Sequence, residues 1–277
     1  MSKHEIPFKS KDYNFQSLNG GKFLIKDSVK FFRLLNQAIP QMSYKKTVPL
    51  VFKPRNVCPF YLDIDLRLKQ NVKIPDTIFL KIAQEFLTAL QTVTSAKEIW
   101  EVFLTRRTGN YSKQINGENV FASGFHILIP NLVVGKEVMI KFKNELLRDK
   151  YWLTFLDGYT LSNDPNDIID NCVVKRSNGL LLCGLNKPGK TARSPHYIFC
   201  VGSWRTAWFD NKRLLEFGWQ FESKEMNDCH QNFLKMMYNL VFTAPKQPKN
   251  VENRVSENLN TQQRVFKNDE FTFTKLL

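Results

Sequence analysis

The segment most typical of a central β-strand reads Tyr61-Leu62-Asp63-Ile64-Asp65-Leu66-Arg67-Leu68. Apolar and polar residues alternate at period two, which predicts that the leucines and the isoleucine face a core. Asp63 and Asp65 then share the opposite face, roughly 6.5–7 Å apart. Two carboxylates this close repel one another unless a proton or a cation lies between them.

A divalent cation is the simplest neutralising partner for this pair. Carboxylate oxygens are hard ligands of the kind that Mg²⁺ and Mn²⁺ prefer, and they leave coordination positions for phosphate oxygens. Asp63 and Asp65 therefore predict a two-metal site for phosphoryl transfer, with Mg²⁺ or Mn²⁺ as the cofactor. The alternative is that the two carboxylates only form a solvated strand face.

The composition indicates a folded protein with an excess of positive charge. Of the 277 residues, 43% are hydrophobic and 13% aromatic, which favours a globular chain over a disordered one. Lys and Arg number 40 against 26 Asp and Glu, for a formal net charge of +14. This excess suggests a polyanionic partner, with nucleic acid as the first candidate and a merely basic soluble protein as the alternative.

Cysteine usage and hydropathy bear on the compartment. The 5 cysteines include no C-x-x-C pair, which favours reduced thiols in the cytoplasm or nucleus. A zinc site from Cys229 and His230 with Cys200 or His196 would have non-standard spacing and is disfavoured. The first ten residues lack the apolar core of a signal peptide, and no apolar run approaches membrane-spanning length. We expect a soluble, intracellular protein without a membrane partner.

The remaining periodicities predict an α+β fold. Helices are expected at 28–38, 75–93 and 136–148, and further strands at 50–52, 100–104, 120–129 and 180–183. Pro130 and Asn131 are expected to end the strand at 120–129, and residues 106–119 to form a loop. The order β-α-β-β-α-β is the split βαβ arrangement of RRM and ferredoxin-like antiparallel sheets, here with additional α/β elements.

This topology has a consequence for the carboxylate pair. The usual strand order places the strand of Asp63 and Asp65 between the strands at 124–129 and 180–183. The two helices cover the opposite face, so the carboxylate face is expected to be open to a substrate.

Two further residues could join the carboxylate pair. His126 shares its strand face with Gly124 and could donate a hydrogen bond to a phosphate oxygen, the alternative being a core histidine. Asp170 follows two apolar residues at a predicted strand edge and could be a third metal ligand. Asp164 and Asp167 are its rivals for that role.

The stretch Gly184–Thr191 matches the P-loop pattern G-x-x-x-x-G-K-[ST] and follows an apolar strand. A P-loop must open a helix whose first amides hold phosphate, but Pro195 ends any helix within its first turn. No later βαβ unit supplies a second nucleotide-binding strand, so an ATPase is disfavoured. Basic residues nearby could still bind triphosphate or template through their charge: Lys175, Arg176, Lys187 and Lys190.

Taken together, these segments resemble the motifs of the archaeo-eukaryotic primase superfamily. Its Asp-x-Asp strand, [Ser/Gly]-x-His strand and hydrophobic-Asp pair are similar to residues 61–66, 124–130 and 169–170. Residues 180–187 resemble an apolar strand ending in Gly-x-x-Lys. That strand is found in the amino-terminal primase domains of primase-helicases from poxviruses, asfarviruses and related large DNA viruses.

The resemblance covers roughly residues 45–245, which we interpret as a primase-like catalytic domain. An N-terminal segment, 1–44, is expected to pack on this core, and 246–277 to form a polar linker or tail. The resemblance implies that Asp63, Asp65 and Asp170 bind two metals. It also implies nucleotide contacts from His126 and Lys187, to which we add, as predicted contacts, Arg176 and Lys175 through their charge and Gly124 through its backbone. Gly124 stands where many members have Ser, so that a backbone amide would take over this contact.

The implied activity is DNA-templated primer synthesis by two-metal nucleotidyl transfer in DNA replication. Its partners would be a single-stranded DNA template, nucleoside triphosphates, and a helicase domain or protein, since no helicase domain follows in this sequence. The site of action would be the cytoplasm, the nucleus or a viral replication site. Exposed tryptophans such as Trp204 or Trp208 could stack on template bases, or they could belong to the core.

Two other functions stay open from the sequence. An RRM-type domain could bind nucleic acid without catalysis, but it would need aromatic side chains where Asp63, Asp65 and His126 stand. A metal-dependent nuclease could use the same carboxylates and would degrade a strand instead of extending it.

Overall fold

Two antiparallel β-sheets form the framework of the molecule. The computed structural model describes residues 5–6, 13–38, 49–94, 99–107, 109–177, 179–185, 197–209 and 212–221. Its strands are β1 (Glu5–Ile6), β2 (Phe15–Ser17), β3 (Lys22–Phe23), β4 (Leu50–Phe52), β5 (Val57–Leu68), β6 (Trp100–Arg106), β7 (Tyr111–Ile115), β8 (Glu118–Gly135), β9 (Leu180–Leu181), β10 (Tyr197–Phe209) and β11 (Lys212–Phe221). Its α-helices are α1 (Ser28–Ala38), α2 (Asp76–Thr94), α3 (Lys136–Asp149), α4 (Pro165–Ile168) and α5 (Asn171–Val174), with a 3-10 helix at Tyr151–Leu156.

The larger sheet has the order β11-β10-β6-β8-β5, with β7 paired to β8 beside that path. The smaller sheet has the order β1-β3-β2-β4-β9. All strand pairs are antiparallel, which confirms the predicted α+β class. The three main helices lie within two residues of their predicted bounds, because long apolar stripes at helical spacing are the most reliable local signal.

The period-two pattern of β5 sorts its side chains between two environments, as predicted. Leu62, Ile64 and Leu66 are fully buried in a core with apolar residues of α2 and α3. Burying each such side chain contributes roughly 1.5–3 kcal/mol. Asp63 and Asp65 point to the other face, away from both helices.

That other face is only partly open. A second core lies between the two sheets and includes Tyr61, Phe103 and Leu128 from the larger sheet with Phe15 and Phe52 from the smaller one. The smaller sheet therefore covers one end of the carboxylate face. The end that carries Asp65 lines a cleft.

The predicted position of the Asp63 strand between two neighbours is wrong. β5 is the last strand of the larger sheet, and Leu180–Leu181 pairs with β4 in the smaller sheet. An irregular segment, residues 161–170, takes the place beside β5 through isolated bridges that join Ile64 to Ile169 and Leu68 to Leu161. A two-residue apolar strand carries too little local information to specify which sheet it joins.

The predicted end of the strand at 120–129 is also wrong. β8 continues past Pro130 and Asn131 to Gly135, because Pro59 pairs with Val133 while Phe60 pairs with Ile129, leaving 130–132 as a bulge. A bulge tolerates a proline, which has no N–H to donate. The Asn131 side chain accepts from the Glu101 amide and donates to the Ile99 carbonyl, at 3.0 and 2.8 Å.

The region expected to be a loop contains β7, which forms a hairpin with β8. Its turn is Asn116-Gly117, where both residues have positive φ. This dipeptide favours the two-residue hairpin turn, so the sequence did contain the signal.

The structure also bears on the membrane expectation. Among the helices of the described ranges, none is both long and apolar enough to cross a bilayer.

Candidate active site

A cleft of about 530 Å³ lies over the open end of the carboxylate face. Five of the predicted site residues line it: Asp63, Asp65, Asp170, Gly124 and His126. The structure therefore brings together side chains from β5, β8 and the segment that borders β5. Residues 63 and 170 are more than a hundred positions apart in sequence.

The β5–β8 register sets the geometry of the central residues. Asp63 lies opposite His126, and Asp65 lies opposite Gly124. His126 Nε2 is 3.3 Å from Asp63 Oδ1, and the Asp63 side chain is 21% exposed. The imidazole is mostly buried, so both predicted descriptions of His126 apply in part: it packs in the protein and it lines the cleft.

Asp170 lies in the cleft because its segment runs beside the outer edge of β5. Its backbone amide donates to the Asp63 carbonyl at 3.2 Å, which places the residue next to Asp63. Its carboxylate caps α5 by accepting from the Cys172 amide at 2.7 Å. The rivals Asp164 and Asp167 are exposed and do not line the cleft. The pKa of Asp164 is lowered by hydrogen bonds from the backbone amide and side chain of Asn166.

Lys143 holds the segment that carries Asp170. Its Nζ donates to the Asn166 carbonyl, the Ile169 carbonyl and Asn171 Oδ1, at 2.6, 2.7 and 2.8 Å. Burial lowers the pKa of Lys143, and the charges of Asp167 and Asp170 oppose that shift. Sequence reasoning missed this residue, although a lysine on the apolar stripe of α3, between Phe142 and Leu146, was a usable signal.

Asn163 holds the backbone next to Asp65. Its Nδ2 donates to the Asp65 carbonyl at 2.8 Å, and its Oδ1 accepts from the Arg67 amide at 3.0 Å. One buried amide side chain thus pairs with two backbone groups at the edge of β5. Nothing in the local sequence distinguished Asn163 from an ordinary loop asparagine.

The donor chemistry of the three carboxylates fits a hard divalent cation. Asp63, Asp65 and Asp170 present only oxygen donors to the cleft, which suits Mg²⁺ or Mn²⁺. Within the described ranges, however, no three His, Cys, Asp or Glu side chains are close enough to bind one ion as they stand. Asp63 faces His126 and Asp170 caps α5, so both carboxylates would have to turn toward a shared ion. Of the disfavoured zinc ligands, Cys200 is buried in β10, and the others lie outside the described residues.

The predicted basic contacts are placed differently from the carboxylates. Lys175 is exposed, and neither it nor Arg176 lines the cleft. Arg176 is only 8% exposed, and its guanidinium lies 4.7 Å from the ring centroid of Tyr61. Among the described residues, none lies in hydrogen-bonding geometry to its three side-chain nitrogens, although the guanidinium is near enough to the Tyr61 hydroxyl to act on the pKa of that group. Lys187 and Lys190 lie outside the described residues.

Tyr61 shares its environment with this buried cation. Burial raises the pKa of the Tyr61 hydroxyl, and the positive charge of Arg176 acts in the opposite direction. The Tyr61 ring therefore packs against Arg176, and its side chain shares a strand face with Asp63.

The cleft also has basic residues that the sequence did not single out. Arg106, Arg107 and Lys113 line its wall together with Tyr111. Arg106 forms an ion pair with Asp76 and lies 5.1 Å from the Phe79 ring centroid, so it is part of the packing of that wall.

Of the two tryptophans considered for template stacking, Trp204 lies in the core. Trp204 is 1% exposed, and its indole N–H donates to Gln91 Oε1 at 3.1 Å. The core alternative is therefore correct for Trp204. The side chain of Trp208 lies outside the described part of the chain.

Comparison with known proteins places these features in a family. The family model described as the C962R protein N-terminal AEP domain matches residues 14–199, which is more than half of the chain. AEP denotes archaeo-eukaryotic primase. The matched span begins next to β2, ends in β10, and includes the five residues that line the cleft together. None of the curated proteins compared with the chain matches it significantly.

Proposed function

Because the chain belongs to the family of C962R N-terminal AEP domains, a primase-type family of large DNA viruses, we propose that it synthesises primers on single-stranded DNA. The observation that carries this proposal is the convergence of Asp63, Asp65, Asp170 and His126 on one cleft. The net charge of +14 supports a polyanionic substrate. A helicase domain or protein is the expected partner in replication.

In the proposed reaction the 3′-oxygen of the growing strand bonds to the α-phosphorus of a nucleoside triphosphate. Pyrophosphate leaves with the electron pair of the broken P–O bond, and the hydroxyl proton passes to water or to a cleft carboxylate. Asp63, Asp65 and Asp170 would hold two Mg²⁺ or Mn²⁺ ions, which supply Lewis acidity toward the phosphate oxygens when bound. The covalent change requires positioning and charge stabilisation more than a protein nucleophile.

The other residues of the cleft would orient the triphosphate. His126, which lies opposite Asp63 in the cleft, would donate a hydrogen bond to a phosphate oxygen. Gly124, opposite Asp65, also lines the cleft, and its backbone amide would contact the triphosphate. Lys143 and Asn163 act indirectly, because they hold the backbones that carry Asp170 and Asp65. Lys175 and Lys187 remain proposed phosphate contacts.

The RRM-type alternative has less support than the enzyme. A binding sheet of that type exposes aromatic side chains on its central strands. Here Tyr61 and Phe103 occupy the equivalent face and are buried beneath the smaller sheet. The open part of the face presents carboxylates, which repel phosphate in the absence of a cation.

The experiment that tests the proposal is incubation with single-stranded DNA, labelled nucleotides and Mg²⁺ or Mn²⁺, with products separated by length. Products that grow with time support primer synthesis. Shortening of the template without growth would indicate the nuclease alternative. Absence of both, with intact strand binding, would support the non-catalytic alternative.

Chelation is expected to separate strand binding from triphosphate binding. The strand would be held by Lys and Arg, so its affinity should survive EDTA and fall steeply with added salt. After chelation the unneutralised carboxylates of Asp63, Asp65 and Asp170 would repel a triphosphate in the cleft, so its affinity should be lost. Fluorescence anisotropy with a labelled strand and with a labelled nucleotide, at constant ionic strength, measures both. Strand binding that disappears in EDTA while nucleotide binding persists would contradict the proposed division of roles.

Replacing Arg176 by methionine is expected to stabilise the protein and to weaken triphosphate binding. A buried guanidinium with no well-aligned acceptor among the described residues costs several kcal/mol, and its stacking on Tyr61 returns only about 2 kcal/mol. We expect a gain of about 1–4 kcal/mol in the free energy of unfolding, from denaturant titration. The loss of charge-assisted hydrogen bonds, worth about 1.5–3 kcal/mol, should weaken triphosphate binding roughly ten- to a hundredfold.

The exposed Arg148 on α3 provides a matched control, since Arg148→Met should change neither quantity. Because Arg176 does not line the cleft, the side chains covering it must move before a phosphate reaches it. Destabilisation by Arg176→Met with unchanged nucleotide affinity would assign Arg176 a purely structural role.

A further inference from the structure

The wall of the cleft opposite the smaller sheet is formed by β7 and the residues just before it. Residues 107 and 109–115 are called the β7 ribbon below. The ribbon pairs with β8 along one of its edges, from Tyr111 with Ala122 to Ile115 with Glu118. Its alternation directs Tyr111 and Lys113 into the cleft, while Ser112 and Gln114 are exposed.

The cleft face of the ribbon combines cations with an aromatic ring. The Arg107 guanidinium lies 4.7 Å from the ring centroid of Tyr111, and Lys113 follows two residues later on the same face. Asn110 anchors the start of the ribbon by donating to the Val72 carbonyl at 2.7 Å. A positive groove with an aromatic platform is the combination that binds single-stranded nucleic acid with little sequence preference.

The ribbon is close enough to the carboxylates to act with them. Tyr111 pairs with Ala122, which pairs with Arg67 of β5, and Asp65 lies two residues before Arg67. Tyr111 is therefore two strands away from Arg67 across the sheet, and Asp65 is two residues from Arg67 along β5. At the usual spacings between strands and between residues, the Tyr111 and Asp65 Cα atoms are roughly 12 Å apart. The floor between them consists of small residues, Ala122, Ser123 and Gly124.

The order of groups along the cleft indicates that the ribbon binds a nucleic-acid strand and not a nucleoside triphosphate. His126 is opposite Asp63, and Arg176 stacks on Tyr61, so both lie on the Asp63 side of the pair. The ribbon is displaced to the Asp65 side. The carboxylates thus separate the proposed triphosphate contacts from a second basic surface.

We infer that the β7 ribbon binds the single-stranded nucleic acid that enters the cleft, with Arg107 and Lys113 on phosphates and Tyr111 stacked on a base. This inference rests on the proposed function in one respect, that the bound nucleic-acid strand serves as the template for primer synthesis at Asp65. The binding itself requires neither metal nor nucleotide.

Anisotropy of a fluorescein-labelled oligothymidine in EDTA, over a range of salt concentrations, tests the inference with the full chain. Tyr111→Leu should weaken binding about fivefold to a hundredfold, whereas Tyr111→Phe should retain the wild-type affinity. Lys113→Ala should weaken binding and reduce the salt slope by about one, as expected for one phosphate contact. Lys141→Ala, an exposed lysine on the helix side of the sheet, is the matched control and should leave the slope unchanged.

A second measurement uses a labelled nucleoside triphosphate with Mg²⁺ and the same variants, whose folding is checked by thermal unfolding. Nucleotide affinity should stay within about twofold of wild type. Lost nucleotide binding with intact strand binding would overturn the inference, as would unchanged strand binding in Tyr111→Leu and Lys113→Ala. If the unmodified protein extends no strand but the variants lose strand binding, the proposed function fails and the inference stands.

Discussion

Asp63→Asn and Asp65→Asn are each expected to reduce nucleotide incorporation by at least about a thousandfold, since metal ligation contributes several kcal/mol of charge stabilisation in the transition state. Asparagine preserves the shape of aspartate and the oxygen that faces His126 Nε2 at 3.3 Å, but it removes the negative charge. The fold should remain intact, because removing one of two adjacent charges relieves repulsion on β5. Asn163 would still hold the backbone at Asp65.

Primer extension with Mn²⁺ and with Mg²⁺, together with denaturant unfolding, separates loss of function from loss of fold. Asp167→Asn is the matched control, because Asp167 is an exposed carboxylate near Asp170 that does not line the cleft. It should keep near-normal incorporation. Normal primer synthesis by Asp63→Asn or Asp65→Asn would remove the carboxylate pair from the proposed site.

The parts of this cleft that could be predicted depend on local patterns. The alternation along β5 places Asp63 and Asp65 on one face whatever the neighbouring strands are, because side-chain direction in a strand has period two. The same applies to Gly124 and His126 on β8. Once β5 and β8 pair, the register brings both sets together.

The parts that could not be predicted depend on contacts between distant segments. The sequence around Asp170 was expected to lead into a strand beside β5, but α5 and a left-handed Arg176 (φ 58°) direct the chain to the smaller sheet. The edge of β5 is completed by side chains and single bridges, through Asn163 and Ile169. Such irregular pairing has no periodic signature in a sequence.

The β7 ribbon is an intermediate case. Its turn, Asn116-Gly117, favours a hairpin, whereas the many polar residues of 106–119 favoured a loop. The physical reason for the strand lies in β8, which extends to Glu118 while its pairing with β6 stops at Phe125. The backbone groups of 118–122 need hydrogen-bond partners, and β7 supplies them.

Gly124→Ala is expected to destabilise the protein by more than about 4 kcal/mol, which is the range of severe backbone or packing defects. Gly124 has φ of 151°, a value that residues with side chains rarely adopt. An added Cβ would lie 2.0 Å from the Ile64 carbonyl oxygen, a contact that only separation of β5 from β8 can relieve. Serine would meet the same oxygen.

The separation of the strands would occur between the Asp63–His126 pair and the Asp65–Gly124 pair, so incorporation should be lost together with stability. Gly109→Ala is the matched control for stability, because an added Cβ at Gly109 has none of the described atoms within 4 Å beyond its chain neighbours. It should be neutral or stabilising by up to about 1 kcal/mol. Denaturant unfolding measures both variants, and primer extension measures Gly124→Ala. A Gly124→Ala protein as stable and as active as the unmodified chain would mean that β5 and β8 do not approach this closely at the cleft.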